Sequence, residues 1–206
     1  MTDYFALLAE PRRPWVDPDA LKAKFLALTS DLHPDRVHLA TEPEKQAANQ
    51  RYAELNAAYN CLREPKERLS HLLELERGNK PEEVQKISPA KMDLFMQVSQ
   101  LCRESDAFLA ERARTTSPLL KAQRFEKGIA LTEQLNALLR NLNEKRAALT
   151  EQMRCLNGVW ESAPSVGSPA RINHLPCSRL EQIYRDFSYL TRWSQEIQER
   201  VVQLSF

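Results

Sequence analysis

The sequence predicts an all-α protein, and three observations support that fold class. Apolar residues recur every three or four positions through most of the 206-residue chain, which is the spacing of one helix face. Capping residues precede these segments, and proline or glycine follows them. Only four glycines are present, which argues against an all-β or low-complexity protein. With 42% hydrophobic and 28% charged residues, the chain is long enough for two small helical domains.

Two amphipathic helices are predicted in the first third of the chain. Asp17 can cap the first, with Pro18 at its first position, and Pro34 ends it. Thr41 and Glu44 form a capping box that opens the second. The apolar positions are Leu21, Phe25, Leu28 and Leu32 on the first helix, and Ala48, Tyr52, Leu55, Tyr59 and Leu62 on the second. We expect the two stripes to pack as an antiparallel pair, with the connecting loop in solvent.

An ordered set of residues in this region resembles the J-domain. The set comprises Tyr4-Phe5, the Leu21/Phe25/Leu28 stripe, His33-Pro34-Asp35-Arg36, and Leu55-Asn56-x-Ala58-Tyr59-x-x-Leu62 followed by Pro65. J-domains activate ATP hydrolysis by chaperones of the DnaK and HscA class. The resemblance implies that His33, Pro34 and Asp35 contact the chaperone. Proline fixes the loop, the aspartate offers a bidentate acceptor to an arginine, and the histidine supplies an adjustable hydrogen bond. Without the flanking pattern, we would interpret the tripeptide as residues that only end a helix and form a turn.

Positive charge on the helix before this loop bears on the chaperone partner. J-domains usually carry a basic stripe there, which attracts an acidic chaperone surface. By resemblance, Lys22, Lys24 and Arg36 contribute to this docking surface. The turn just before the loop reads Thr29-Ser30-Asp31 and has no positive charge. This departure predicts weaker docking, or a partner with a compensating surface.

The rest of the chain is predicted to form a hinge and a second helical domain. A helix from Pro65 to Leu75 completes a J-domain over 1–76, and Gly78 and Pro81 mark a hinge over 77–87. An up-down-up bundle of three helices is expected over 88–206. Its helices are predicted from Ser88-Pro89-Ala90 to about Arg114, from Ser117-Pro118 to about Leu156, and from a Ser178/Glu181 capping box to Phe206, with a loop from Gly158 to Arg171 before the last.

A J-domain followed by a three-helix bundle resembles the HscB co-chaperones of iron-sulfur cluster assembly. Members deliver the scaffold protein IscU to HscA and stimulate its ATPase. The chain has no Gly/Phe-rich linker and no Cys-x-x-Cys-x-Gly-x-Gly zinc modules, which leaves the bundle as the client-binding surface. The resemblance implies scaffold binding by Phe95, Met96, Gln100 and Glu104 on the first bundle helix. Ser99 and Gln100 depart from the leucine and glutamate of the family pattern, and Phe95 and Met96 at helical spacing are also compatible with a core role.

Five large side chains on the last predicted helix are expected to fill the bundle core rather than a partner groove. They are Tyr184, Phe187, Tyr189, Leu190 and Trp193.

Other function classes find no support in the sequence. The four histidines and the scattered cysteines Cys61, Cys102, Cys155 and Cys177 show no metal-ligand or disulfide spacing. We therefore expect no metal, no cofactor and no catalytic residue in this chain. The net charge of +1 is not split between the halves, so neither nucleic acid nor a membrane is an expected partner. No targeting or membrane-spanning segment is apparent, which predicts a cytoplasmic protein.

Two alternative functions remain open at this stage. The first is a J-domain co-chaperone that serves a client other than the iron-sulfur scaffold. The second is a helical adaptor whose hairpin activates no chaperone and whose bundle mediates oligomerisation of a protein complex.

Overall fold

The computed structural model describes residues 1–32, 41–82, 87, 89–114 and 118–205. Across these residues the regular structure is entirely helical, which confirms the predicted fold class. The helices are α1 (Tyr4–Leu7), α2 (Pro18–Thr29), α3 (Glu42–Arg63), α4 (Pro65–Arg77), α5 (Met92–Ala113), α6 (Pro118–Glu161), α7 (Arg171–His174) and α8 (Cys177–Ser205). Single 3₁₀ turns follow α2 at Ser30–Leu32 and precede α5 at Pro89–Lys91.

Local capping determines where the helices of the first third begin and end. The Asp17 carboxylate accepts the N–H of Ala20 at 2.8 Å and caps α2. At the start of α3, the N–H and the hydroxyl of Thr41 both donate to the Glu44 carboxylate at 2.8 Å, so the predicted capping box is present. The hydrogen bond from the Thr41 N–H lowers the pKa of Glu44. Gly78 ends α4 with φ of +80°, where a residue with a Cβ would be strained.

The chain forms two compact units. One comprises Met1–Glu82 with Thr150–Tyr184, and the other comprises Glu83–Leu149 with Arg185–Phe206. Helices α6 and α8 contribute residues to both units. The first unit therefore holds the predicted J-domain together with the end of α6, α7 and the start of α8. The functional boundaries at residues 76 and 88, and the hinge between them, stay predictions.

The core of the first unit follows the predicted apolar stripes in part: four stripe residues are buried, Phe25, Leu32 and Tyr59 are half-buried, and two are exposed. Leu28 is 39% exposed and Tyr52 is 36% exposed, whereas Thr29 and Ala58 are buried. The Thr29 hydroxyl donates to the Phe25 carbonyl at 2.8 Å, which allows this polar side chain to be buried. Helical spacing defines a stripe, but the neighbouring helices decide which residues at its edge are covered. Core side chains with at most 1% exposure include Phe5, Leu8, Val16, Leu21, Leu55, Leu62, Leu69, Leu72 and Leu73.

The second unit contains the three-helix bundle, built from α5, the first part of α6 and the last part of α8. Its apolar faces are only partly buried, because Leu94, Leu101, Leu109 and Leu138 are half-buried. The buried side chains include Val98, Cys102, Phe108, Leu131, Leu135, Leu142, Leu149, Phe187, Leu190, Trp193, Ile197 and Leu204. This confirms that the last helix uses most of its large side chains for the core.

Helix α6 is longer than predicted, because it continues through Gly158 to Glu161. The predicted loop therefore begins at residue 162. A glycine within a helix costs about 1 kcal/mol relative to alanine. The burial of Met153 and Trp160 on either side of Gly158 offsets that cost, since the two side chains are 0% and 3% exposed.

Helix α8 begins at Cys177, one residue before the predicted N-cap Ser178. Pro176 is the residue before the helix, and its carbonyl accepts the N–H of Leu180 at 3.0 Å. The Glu181 carboxylate accepts from Arg77 at 2.6 Å. Glu181 therefore takes part in a contact between residues far apart in sequence, which the pattern did not indicate.

Candidate functional site

The predicted chaperone-binding loop joins two helices whose near ends are well defined. His33, Pro34, Asp35 and Arg36 themselves lie outside the described residues. Before them, α2 closes in the 3₁₀ turn at Ser30–Leu32. After them, the Thr41 capping box opens α3. The ring of Phe25 stacks on that of Tyr59 at 4.5 Å between centroids and ties α2 to α3.

The two lysines of α2 lie in different environments. Lys22 is exposed to solvent. The Lys24 ammonium lies 2.8 Å from the Glu10 carboxylate and donates to the Ala9 carbonyl at 2.9 Å. The Glu10 side chain is only 1% exposed and also accepts from Arg13 at 3.1 Å. Lys24 thus neutralises a buried carboxylate next to Ala9, whose φ of +51° is unusual for a residue with a Cβ.

Two buried basic side chains hold α4 against the start of the chain. Nε2 of His71 accepts the N–H of Tyr4 at 3.1 Å, and the imidazole stacks on the Tyr4 ring. Burial lowers the pKa of His71, so the ring is neutral when it accepts this bond. Arg68 donates to the carbonyls of Pro14 at 2.8 Å and of Leu62 at 2.5 Å. Burial lowers the pKa of Arg68 to about 10, which leaves the guanidinium charged at neutral pH.

The segment between α1 and α2 is also bound by α6. The Asn157 carboxamide accepts the N–H of Trp15 and donates to the carbonyl of the same residue, both at 2.9 Å. Asn157 is only 9% exposed. The guanidinium of Arg154 lies 4.3 Å from the centroid of the Trp15 indole, in cation–π geometry.

A buried ion pair connects the end of α4 to α7. Arg171 donates to both oxygens of the Glu76 carboxylate at 2.8 and 2.9 Å, and to the Pro164 carbonyl at 2.7 Å. The two side chains are 8% and 3% exposed. Arg12 approaches Glu76 at 3.9 Å and pairs with Asp3, the N-cap of α1, at 2.9 Å. Arg171 therefore joins the segment from 162 to 170, through the Pro164 carbonyl, to Glu76 at the end of α4.

The predicted client-binding residues all lie on α5, but they face different sides of it. Met96 is 51% exposed. Phe95 is half-buried, with its ring 6.3 Å from that of Trp193 on α8. Glu104 is exposed and accepts from Gln100 at 2.9 Å. Phe95 and Glu104 are nine residues apart, which is about two and a half turns and places them on opposite sides of the helix. Met96 and Gln100 occupy the solvent side between them.

Gln100 and Glu104 also border a groove between α5 and α6 that the sequence reasoning missed. The groove measures about 410 Å³ and is lined by four carboxamides together with leucine, alanine and glutamate side chains. Its lining residues are Gln97, Gln100, Leu101, Glu104, Gln134, Ala137, Leu138 and Asn141. The only sequence signal for this groove is a set of four amide side chains, two on each of two predicted helices. That these two pairs face the same groove became visible only in the folded structure.

The aromatic residues of α8 are mostly core residues, as predicted. Tyr184, Phe187 and Trp193 are between 1% and 7% exposed. Tyr189 is half-buried and stacks on Trp193 at 5.5 Å. Phe95, Tyr189 and Trp193 form one aromatic cluster in the bundle unit, next to the exposed Met96.

Burial limits the reactivity of three of the four cysteines, whereas Cys155 is exposed. All four cysteines are free thiols. Burial raises the pKa of Cys102 and Cys177, and it raises that of Cys61 to about 11. Among the described residues, no cluster of three or more His, Cys, Asp and Glu side chains could hold a metal ion. No described helix is long and apolar enough to cross a bilayer.

No protein-family model matches the chain. The similar proteins described next all carry the same name, HscB. The chain is 33% identical over 144 residues to the Co-chaperone protein HscB homolog of Cupriavidus taiwanensis, and the alignment covers 70% of each protein. It is 38% identical over 73 residues to the Co-chaperone protein HscB homolog of Azoarcus sp., over 35% of this chain and 41% of that one.

Two solved structures share the fold. Chaperone HscB from Vibrio cholerae superposes with a TM-score of 0.55 at 22% identity, over 98% of this chain and 99% of the other. Human co-chaperone protein HscB gives a TM-score of 0.57 at 18% identity, over 98% of this chain and 81% of the other.

Proposed function

This chain belongs to the HscB family of co-chaperones, and on that premise we propose that it stimulates the ATPase of an HscA- or DnaK-class chaperone and delivers an IscU-type scaffold to it. The observation that carries the proposal is the His33-Pro34-Asp35 sequence between the 3₁₀ turn that follows α2 and the capping box that opens α3. The energy of the cycle comes from the ATP of the partner, and the co-chaperone itself needs no catalytic residue. We place this activity in the cytoplasm, together with its ATP-driven partner.

The chaperone-binding surface in this proposal comprises His33, Pro34, Asp35 and Arg36, with Lys22 beside them. Lys24 contributes indirectly, because its ammonium holds Glu10 and the Ala9 carbonyl and so supports the start of α2. A surface with one exposed lysine on α2 offers little long-range attraction, so we expect chaperone docking to depend only weakly on salt.

The client-binding surface in this proposal is centred on Met96 and Phe95. Met96 is exposed and its flexible thioether adapts to varied partners. The Phe95 ring is supported by Trp193, which holds it in place for a contact with a partner. Gln100 and Glu104 extend the surface toward the groove between α5 and α6.

The amide-lined groove favours a second candidate, a co-chaperone for a client other than an IscU-type scaffold. Carboxamides both donate and accept, so they suit a polar or main-chain segment of a client better than an apolar one. The same assay separates the two candidates.

Steady-state ATPase rates of an HscA- and a DnaK-class chaperone, each with and without this protein and an IscU-type scaffold, test the proposal. We expect stimulation that grows when the scaffold is present. Stimulation that ignores the scaffold would favour the second candidate, and no stimulation of either chaperone would refute both.

Two variants then assign the surfaces. His33→Gln should abolish stimulation and leave scaffold binding intact, with His174→Gln, an exposed histidine on α7, as the matched control. Phe95→Ala with Met96→Ala should weaken scaffold binding and leave scaffold-independent stimulation intact. Phe125→Ala, a 71% exposed phenylalanine on α6, is its control.

A further inference from the structure

The end of the three-helix bundle at which α5 and α8 finish carries an apolar groove. It measures about 530 Å³, and the described residues that line it come from the ends of α5 and α8 and from the first part of α6. Phe125 and Ile129 on α6 are 71% and 45% exposed, whereas Phe108 and Leu204 are buried. The volume lies within the range of small-molecule sites. A ligand that covers the two exposed side chains removes apolar surface from water, which is favourable.

Gly128 leaves space in this groove beside the ring of Phe108. A Cβ built on Gly128 would lie 3.3 Å from the Phe108 ring, closer than an ordinary van der Waals contact. Alanine favours a helix over glycine, so a glycine in the interior of α6 indicates a constraint on space. At this position the groove is lined by the backbone of α6 and by an aromatic ring, and a larger residue would narrow it.

Arg112 brings to the groove a positive charge that no carboxylate neutralises. Its guanidinium donates to the carbonyls of Leu204 and Gln203 at 3.1 and 2.8 Å. Within the described ranges it forms no ion pair, whereas Arg124, which also lines the groove, pairs with Glu111 at 2.8 Å. A guanidinium has five N–H donors, so Arg112 keeps further donors for a ligand.

The exposed charges near the groove largely cancel. The Lys127 ammonium lies 5.8 Å from the centroid of the Phe108 ring, and Glu133 lines the groove. Both residues are exposed, so water and salt screen their opposite charges. Arg112 is half-buried and is screened less. The groove therefore combines apolar walls with one positive charge, which is the complement of an apolar anion.

We propose that this groove binds a small amphipathic anion, with the apolar body of the ligand against Phe125 and Ile129 and its carboxylate on Arg112. A medium-chain fatty acid has this chemistry, since it joins one carboxylate to a flexible alkyl chain. The site is separate from the proposed client surface, because Arg112 follows Met96 by sixteen residues, about 24 Å along α5. The inference goes beyond the proposed function and does not depend on it.

Isothermal titration calorimetry of the full chain with decanoate and with decylamine tests the site. The two probes share an alkyl chain of the same length but carry opposite charges. We expect decanoate to bind at one site per chain and at least about tenfold more tightly than decylamine, because only the carboxylate accepts hydrogen bonds from the guanidinium.

Three variants locate the site. Arg112→Gln keeps a donor for the α8 carbonyls but removes the charge, and it should weaken decanoate binding at least about tenfold. Arg103→Gln, at an exposed arginine of α5 outside the groove, is the matched control and should bind decanoate like the unsubstituted chain. Phe125→Ala removes an exposed side chain and should also weaken decanoate binding, so it provides a second variant should Arg112→Gln fail to fold.

The possible outcomes separate the parts of the proposal. Unchanged decanoate binding in Phe125→Ala and in folded Arg112→Gln would overturn the location of the site. Equal binding of decanoate and decylamine would overturn the preference for an anion. No decanoate binding with a Kd below about 1 mM would overturn the proposal as a whole. Chaperone stimulation is measured separately, so each of these outcomes leaves the proposed function unaffected.

Discussion

The two compact units bury different kinds of polar side chain. Among the described residues, the first unit buries Glu10, Thr29, Arg68, His71, Asn157 and Arg171. The bundle unit buries two serines, Ser105 and Ser194. Among the described residues, buried ionised and amide side chains are thus confined to the first unit, whereas the bundle core is apolar apart from two serines.

This difference shows how one chain meets two requirements, stability and a specific geometry. Apolar packing supplies stability without strong preference for one arrangement of similar shapes. A buried ion pair or amide clamp adds less net stability but penalises every arrangement in which a group loses its partner. We interpret the polar contacts of the first unit as the source of its specific geometry, and the bundle core as the source of stability.

Arg171→Met should give the largest effect, because it leaves the Glu76 carboxylate buried with only the distant Arg12 beside it. We expect a loss of about 3–5 kcal/mol in the unfolding free energy of the first unit. Glu76→Leu combined with Arg171→Met should recover most of this loss, since no uncompensated charge remains. Urea unfolding followed by circular dichroism measures both. A single-variant loss below about 1 kcal/mol would show that the pair contributes little.

Leu135→Ala should destabilise the bundle by about 3 kcal/mol, because the side chain is fully buried and its removal leaves a cavity. Leu138→Ala on the same helix is the control and should have a smaller effect, since Leu138 is half-buried. Hydrogen exchange in α5 and α8 measures the loss within the bundle. Equal effects at the two positions would contradict the burial pattern.

His71→Gln should reduce the dependence of stability on pH. Burial lowers the pKa of His71 in the folded state, so the unfolded chain binds the proton first as the pH falls below the ordinary value of 6.5. Its contribution is complete above that pH and is lost on acidification. The glutamine amide oxygen can accept the Tyr4 N–H without titrating.

Unfolding free energies at about pH 7.5 and about pH 5.5 test this. The original chain should lose more stability between the two conditions than the variant does. Equal losses would mean that His71 does not contribute to the acid sensitivity of the first unit.

Arg192→Ala should have the smallest effect, below about 0.5 kcal/mol, although Arg192 lies 3.2 Å from Glu196. The arginine is 77% exposed, so water already solvates its charge. The variant serves as a reference for the buried pair of Arg171. A loss comparable to that of Arg171→Met would mean that burial does not set the strength of these pairs.

The features of the fold that could be predicted from the sequence depend on interactions between residues close in sequence. Asp17, the Thr41–Glu44 box and Gly78 act within four residues of their own position, so their chemistry is visible in the sequence. The apolar spacing likewise identified the bundle helices and most of their buried residues. These features determined the fold class and the helix order.

Contacts between distant residues account for what was missed. Asn157 and Trp15 are 142 positions apart, and Arg171 and Glu76 are 95 apart. The pairing of Lys24 with Glu10 was not predicted, because it depends on the turn at Ala9, and the role of Lys24 in chaperone docking stays a prediction. The four residues of the proposed client surface are on the expected helix, but the support of Phe95 by Trp193 and the amides of α6 required the tertiary structure.

The uneven burial of the four thiols makes α6 selectively addressable by chemistry. A maleimide reacts with the thiolate form, and raised pKa values suppress that form at Cys61, Cys102 and Cys177. Cys155 is exposed and lies two residues before Asn157. The native chain therefore carries a preferred attachment point for a fluorophore or spin label beside the Trp15 contact, and its local motion can be followed without introducing a new cysteine.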